Sequence, residues 1–139
     1  MRTAIFQARF DQLDAIRSFA AQAARDAGLK DSDVNAVELA VDEASSNIIE
    51  HAYQGTEKGD IECTCDCDKD RLIVILRDHG KPFELSKVPE PDLNSDLSHR
   101  QVGGLGVFIM KKLMDEVNFE GLGKSGNVLT MVKYLRRRK

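Results

Sequence analysis

The chain has no long hydrophobic run. Nowhere in its 139 residues do the roughly 18 consecutive apolar residues of a membrane span occur, and the opening MRTAIFQARF lacks the continuous apolar centre of a signal peptide. Both absences point to a cytoplasmic protein with no membrane partner. Cysteine is scarce: the three present lie together in CTCDC, too close for the disulfide framework of a secreted domain, and are expected as reduced thiols. Neither sign of charge dominates. A net charge of −3 gives no reason to expect direct nucleic-acid binding, and the closing RRRK reads as a solvated tail. Pro82, Pro89 and Pro91 all fall in one segment, and no repeat, low-complexity tract or linker divides the chain. With 42% hydrophobic residues, the length suits one domain over 1–139 that buries about two-thirds of its unfolded surface.

What is present reads as β-α-α-β-β-loop-α-β-β. Residues around Thr3, Ile5 and Phe6 suggest a strand; Leu13, Ile16, Phe19, Ala20 and Ala23 then recur at helical spacing until Gly28. A second helix, with Ser32 or Asp33 as its cap, carries the stripe Val34, Val37, Val41, Ala44, Ile48, Ala52. In the next segment Ile61, Cys63, Cys65 and Cys67 alternate with polar residues before a turn at 68–70 into RLIVIL, a hairpin whose cysteines share one face. Residues two apart on a strand stand too far apart to chelate one zinc comfortably, so these cysteines are expected to pack in the core. Residues 81–102 hold the prolines with Asn, Asp and Ser, and read as a long loop or lid. GGLGVFIMKKLMDEV should be a helix with a glycine-rich entry, followed by two strands.

Three stretches carry chemistry. In VDEASSNIIEH, Glu43 and Asn47 stand four apart on one side of the second helix, off the centre of its apolar stripe. RDHGKPF places Asp78 and Gly80 at the end of an apolar strand, where a carboxylate can accept from an exocyclic amine and glycine permits close approach. GGLG opens a helix whose N–H groups suit an anion such as phosphate. Each signal is common alone; their order and spacing are not.

Together ELAVDEASSNIIEHAY, DHGKPF, GGLGVFIMKKLMDEV and GNVLT resemble the GHKL nucleotide-binding fold and, within it, the stand-alone anti-sigma factor serine/threonine kinases of bacteria, over nearly the whole chain. The resemblance implies an α/β protein, a two-layer α+β sandwich of the Bergerat type with a mixed sheet and helices on one face. It implies ATP and Mg²⁺ as cofactors. Asn47 matches the magnesium-ligating asparagine, Glu43 the catalytic base, Asp78 the adenine-reading aspartate, and Gly80 the glycine beside it. Thr130 matches the threonine that supports this aspartate through water, and Gly104 and Gly106 match the phosphate-contacting glycines. Two positions depart from the family pattern: Pro82 replaces the second glycine of D-x-G-x-G, and Val102 stands where some members carry an arginine, the nearest here being Arg100.

The function implied is transfer of the γ-phosphate to a serine or threonine of a regulatory, STAS-type anti-anti-sigma protein, with a sigma factor as the sequestered partner and a homodimer as the form often taken. A non-catalytic ATP-binding protein that only sequesters its partner would use every one of these residues except Glu43. The catalytic module of a histidine kinase would need a dimerisation helix with a phospho-accepting histidine, and His51, His79 and His99 all lie within the motifs or the lid.

Overall fold

A computed structural model describes residues 1–54, 58–80, 109–122 and 125–135. Strand β1 (Arg2–Gln7) leads through a 3₁₀ turn (Phe10–Gln12) into helix α1 (Leu13–Asp26). Alanines 20, 21, 23 and 24 form most of the buried face of α1, and such small side chains let α2 lie close against it. Gly28, at φ +94°, stops the helix in the left-handed conformation that glycine adopts without penalty.

Helix α2 (Asp31–Asn47) buries the expected stripe of Val34, Val37, Val41 and Ala44. Its cap differs from expectation. Lys30 is the N-cap and makes no side-chain cap bond, while Ser32 and Asp33 fall inside the first turn. Asp33 is engaged elsewhere, 3.8 Å from Lys133 Nζ with both side chains nearly buried. Beyond Asn47 the helix widens into a π turn (Ile48–Ala52) that keeps Ile48, Ile49 and Ala52 inside.

Strands β2 (Asp60–Asp68) and β3 (Arg71–Asp78) form the expected hairpin, and β4 (Glu116–Gly121) pairs with β5 (Asn127–Tyr134). The sheet order is β1-β2-β3-β5-β4, and every neighbouring pair is antiparallel, so the expected mixed sheet is corrected to an antiparallel one. Connectivity explains this. Two helices lie between β1 and β2 in the chain, and β2 returns antiparallel to β1. β3 and β4, which run the same way, are kept apart by β5.

Core residues come from one face of the sheet: Ile61, Cys63 and Cys65 on β2, Leu72, Val74 and Leu76 on β3, Leu129 and Met131 on β5. Removing each large side chain from water contributes about 2 kcal/mol. Cys63 and Cys65 are core side chains; Cys67 shares their face but is exposed. Phe6 and Phe19 meet edge to face with centroids 5.8 Å apart, joining β1 to α1.

Helical residues 109–113 end sooner than the periodicity suggests, and β4 begins at Glu116. The Asp115 N–H donates to Val132 O at 2.9 Å and the Asp115 carboxylate accepts from Tyr134 N–H at 2.7 Å, so the sheet captures the chain there. Among the described residues, no helix is long and apolar enough to cross a membrane.

Candidate functional site

β3 runs inward and ends on a charge. Asp78 is 2% exposed, and its Oδ1 accepts from Gly80 N–H at 2.9 Å and from Asn127 Nδ2 at 2.8 Å. Burial pushes its pKa above the usual aspartate value, while the Asn127 and Gly80 donors pull it back. A carboxylate kept in the interior with two donors on one oxygen has its other oxygen available to something else.

Close backbone approaches build this corner. A Cβ on Gly80 would stand 2.5 Å from the carbonyl carbon and oxygen of Ala52, so glycine is required where β3 meets the π turn. The expected reason was approach to a flat ligand; the observed one is approach to the chain itself. Tyr53 ties the same corner: its hydroxyl donates to Asp60 O at 2.7 Å and accepts from His79 N–H at 2.8 Å.

Facing Asp78 across a narrow cleft are Ala44 and Asn47 of α2 and Ile48 of the π turn, with Met110, Phe119 and Leu129 as further walls among the described residues. The space between them is about 10 Å³, room for about one water, so a purine entering here must part the walls. Met110, fully buried and unbranched, is the wall best able to repack.

Asn47 is 6% exposed, and its Nδ2 has no hydrogen-bond partner among the described residues. Amide oxygen and nitrogen are interchangeable in assignment, so this orphaned position fits an oxygen ligand turned toward a hard cation such as magnesium, which takes one or two protein ligands and completes its shell with water and phosphate. Glu43 lies one helical turn before Asn47, half-buried and outside the cleft wall. Its pKa is raised, first by burial and then by the neighbouring charges of Asp42 and Glu50. Asp42 itself stands 3.5 Å from Arg17.

Asn47 and Asp78 are therefore brought together, with Glu43 one turn behind. Thr130 is not. It pairs with Ile75 on one side and Asn118 on the other, whereas Asp78 pairs with Asn127. Three residues separate 127 from 130, an odd step, so Thr130 lies on the outer face of the sheet while Asn127 shares the face of Asp78. Among the described residues it is Asn127, not Thr130, that contacts the Asp78 carboxylate directly. Asn127 and Tyr53 are the two members of the corner that sequence reasoning missed; the Gly126-Asn127 step was the available signal, since a glycine that starts a strand marks close approach. Gly104, Gly106 and the expected lid 81–102 lie outside the described residues.

Comparison with known proteins agrees with this geometry. Residues 6–133 match the histidine kinase-like ATPase domain family. Relatives named serine-protein kinase RsbW include one from Bacillus velezensis, 35% identical over 108 residues that span 74% of this chain and 66% of the relative. Another from Bacillus cereus is 30% identical over 134 residues, 94% of this chain and 82% of the relative. Among solved structures, the RsbU and RsbW domains of a Mycobacterium tuberculosis protein superpose with TM-score 0.64 at 15% identity, covering 99% of this chain and 34% of that one. The nucleotide-free catalytic domain of the histidine kinase ThkA gives TM-score 0.58 at 17% identity, covering 96% of this chain and 98% of that one.

Proposed function

This chain belongs to the histidine kinase-like ATPase family, and from that premise we propose that it is an ATP-dependent protein serine/threonine kinase acting on a regulatory protein partner. The observation that carries the nucleotide reading is the buried Asp78, held at Oδ1 by two donors, facing Asn47 across one cleft. Likeness to relatives named serine-protein kinases supports the choice of hydroxyl acceptor. By family resemblance, the partner is an anti-anti-sigma protein of STAS type and the sequestered protein a sigma factor.

Asp78 would accept from the exocyclic amine of adenine and so set the base in place. Asn47 would hold magnesium, which supplies neutralisation of phosphate charge when bound. Glu43 would take the proton of the attacking hydroxyl, and its raised pKa makes it a stronger proton acceptor than a fully solvated glutamate. Little covalent work is asked of the protein, because phosphoryl transfer depends mainly on positioning and charge.

The test measures transfer from γ-labelled ATP to the partner beside direct ATP binding. Glu43→Gln keeps size and hydrogen bonding but cannot take the proton, so it should bind ATP like the parent and lose transfer by roughly 10² to 10⁴. Asn47→Ala should lose both. In the parent the rate should fall on acidification through the raised Glu43 pKa, because only the carboxylate form accepts a proton. Parental transfer by Glu43→Gln would leave Glu43 a half-buried helix residue with no part in proton transfer. A parent that binds its partner and ATP but transfers nothing would establish the sequestering function instead.

A further inference from the structure

Asn127 opens β5, and its register partner is Asp78, the last residue of β3. The two side chains are 1% and 2% exposed. The Asn127 Nδ2–H and the Gly80 N–H both donate to Oδ1 of Asp78, at 2.8 and 2.9 Å, and neither donates to Oδ2. A carboxylate gripped at one oxygen by donors from two separate segments cannot rotate about Cβ–Cγ without breaking both bonds. Its second oxygen therefore keeps a fixed direction.

The chain is shaped to make this contact. Gly126 stands at φ +92°, and a Cβ there would lie 2.1 Å from the carbonyl oxygen of Asp78. Only glycine lets the turn come down onto the end of β3 and deliver residue 127 against the carboxylate.

Resting on the nucleotide-binding role of Asp78, we propose that Asn127 is a positioning residue for base choice: it fixes Asp78 through Oδ1, leaving Oδ2 to accept from the 6-amino group of a purine and to repel a 6-oxo group. Adenine presents a donor at that position and hypoxanthine presents an acceptor. With Asn127 in place, the carboxylate offers an acceptor in one direction. Without it, the carboxylate can turn toward water or toward the N1–H of a 6-oxo purine, and the distinction weakens.

The experiment titrates ATP·Mg and ITP·Mg into the full chain and into Asn127→Ala and Asn127→Ser, with folding of each followed by circular dichroism. The parent should prefer ATP. Both variants should lose about tenfold in ATP affinity, the worth of one hydrogen bond to a charged group, while ITP affinity stays nearly constant, so that the preference shrinks by a similar factor. Should Asn127→Ala fail to fold, Asn127→Ser keeps a polar side chain but is too short to reach Oδ1, and it carries the test alone. Equal weakening of both nucleotides, with the preference intact, would make Asn127 merely structural and overturn the proposal, as would unchanged ATP affinity in a folded variant. A parent that binds neither nucleotide would overturn the underlying nucleotide-site reading, and the inference with it.

Discussion

Asp78 works against the fold that holds it. Burial raises its pKa, so the folded chain binds this proton more tightly than the unfolded chain does. The sign follows: the ionised carboxylate costs stability at neutral pH, and the cost is relieved as pH falls through the raised pKa. Asp78→Asn keeps an Oδ1 acceptor for Gly80 and Asn127 while removing the buried charge. The variant should therefore melt at or above the parental temperature at neutral pH, the pattern of a residue kept for function at the expense of stability. A thermal melt of both proteins at neutral pH checks this, and a melt many degrees lower would make Asp78 a structural residue. At this scale the sequence disclosed the residues with distinctive neighbours. Asp78 and Asn47 stand out by motif, whereas the choice between Asn127 and Thr130 depends on strand register, which periodicity leaves undetermined: a step of one residue exchanges the two faces.

Elements are positioned by a few polar contacts as well as by the core. Lys133 on β5 is 7% exposed, and its Nζ donates to Leu113 O at 2.6 Å, at the end of helical residues 109–113, while lying 3.8 Å from Asp33 in the first turn of α2. One ammonium thus joins a strand, a helix end and a helix start. Lys133→Met keeps the apolar stem but leaves Asp33 with a nearly buried charge and no cation. That change should cost about 3 kcal/mol, read as a lower urea midpoint at unchanged slope. Loss below half a kilocalorie would mean that Asp33 finds water instead. Helix and strand positions were legible because periods of 3.6 and 2 are written into the apolar residues, and the β2–β3 turn was legible from its polar residues. Three features were not. The π turn after Asn47, the uncapped start of α2 and the early end of the helix at 113 each depend on a partner distant in the chain: the approach of Gly80 to Ala52, Lys133 beside Asp33, and Asp115 bonded to Val132 and Tyr134.

Across the whole molecule, the candidate site forms where three separate segments converge: the end of α2 with Asn47, the end of β3 with Asp78, and the start of β5 with Asn127. Asp78 and Asn127 are 49 residues apart in the chain. No local pattern announces such a meeting, and the motif order revealed it only through resemblance to a known fold. Strand direction escaped even that, since the antiparallel sheet follows from β5 inserting between β3 and β4. Because the three segments converge on one carboxylate, one substitution should separate folding from nucleotide binding. Calorimetric titration of ATP·Mg into the full chain and into folded Asp78→Asn is the most direct measurement. One ATP should bind per parental chain, and binding should weaken by about tenfold or more in Asp78→Asn, where an NH₂ donor can face the adenine amine. No heat of binding in the parent, or equal affinity in the two proteins, would contradict the nucleotide-binding role of Asp78.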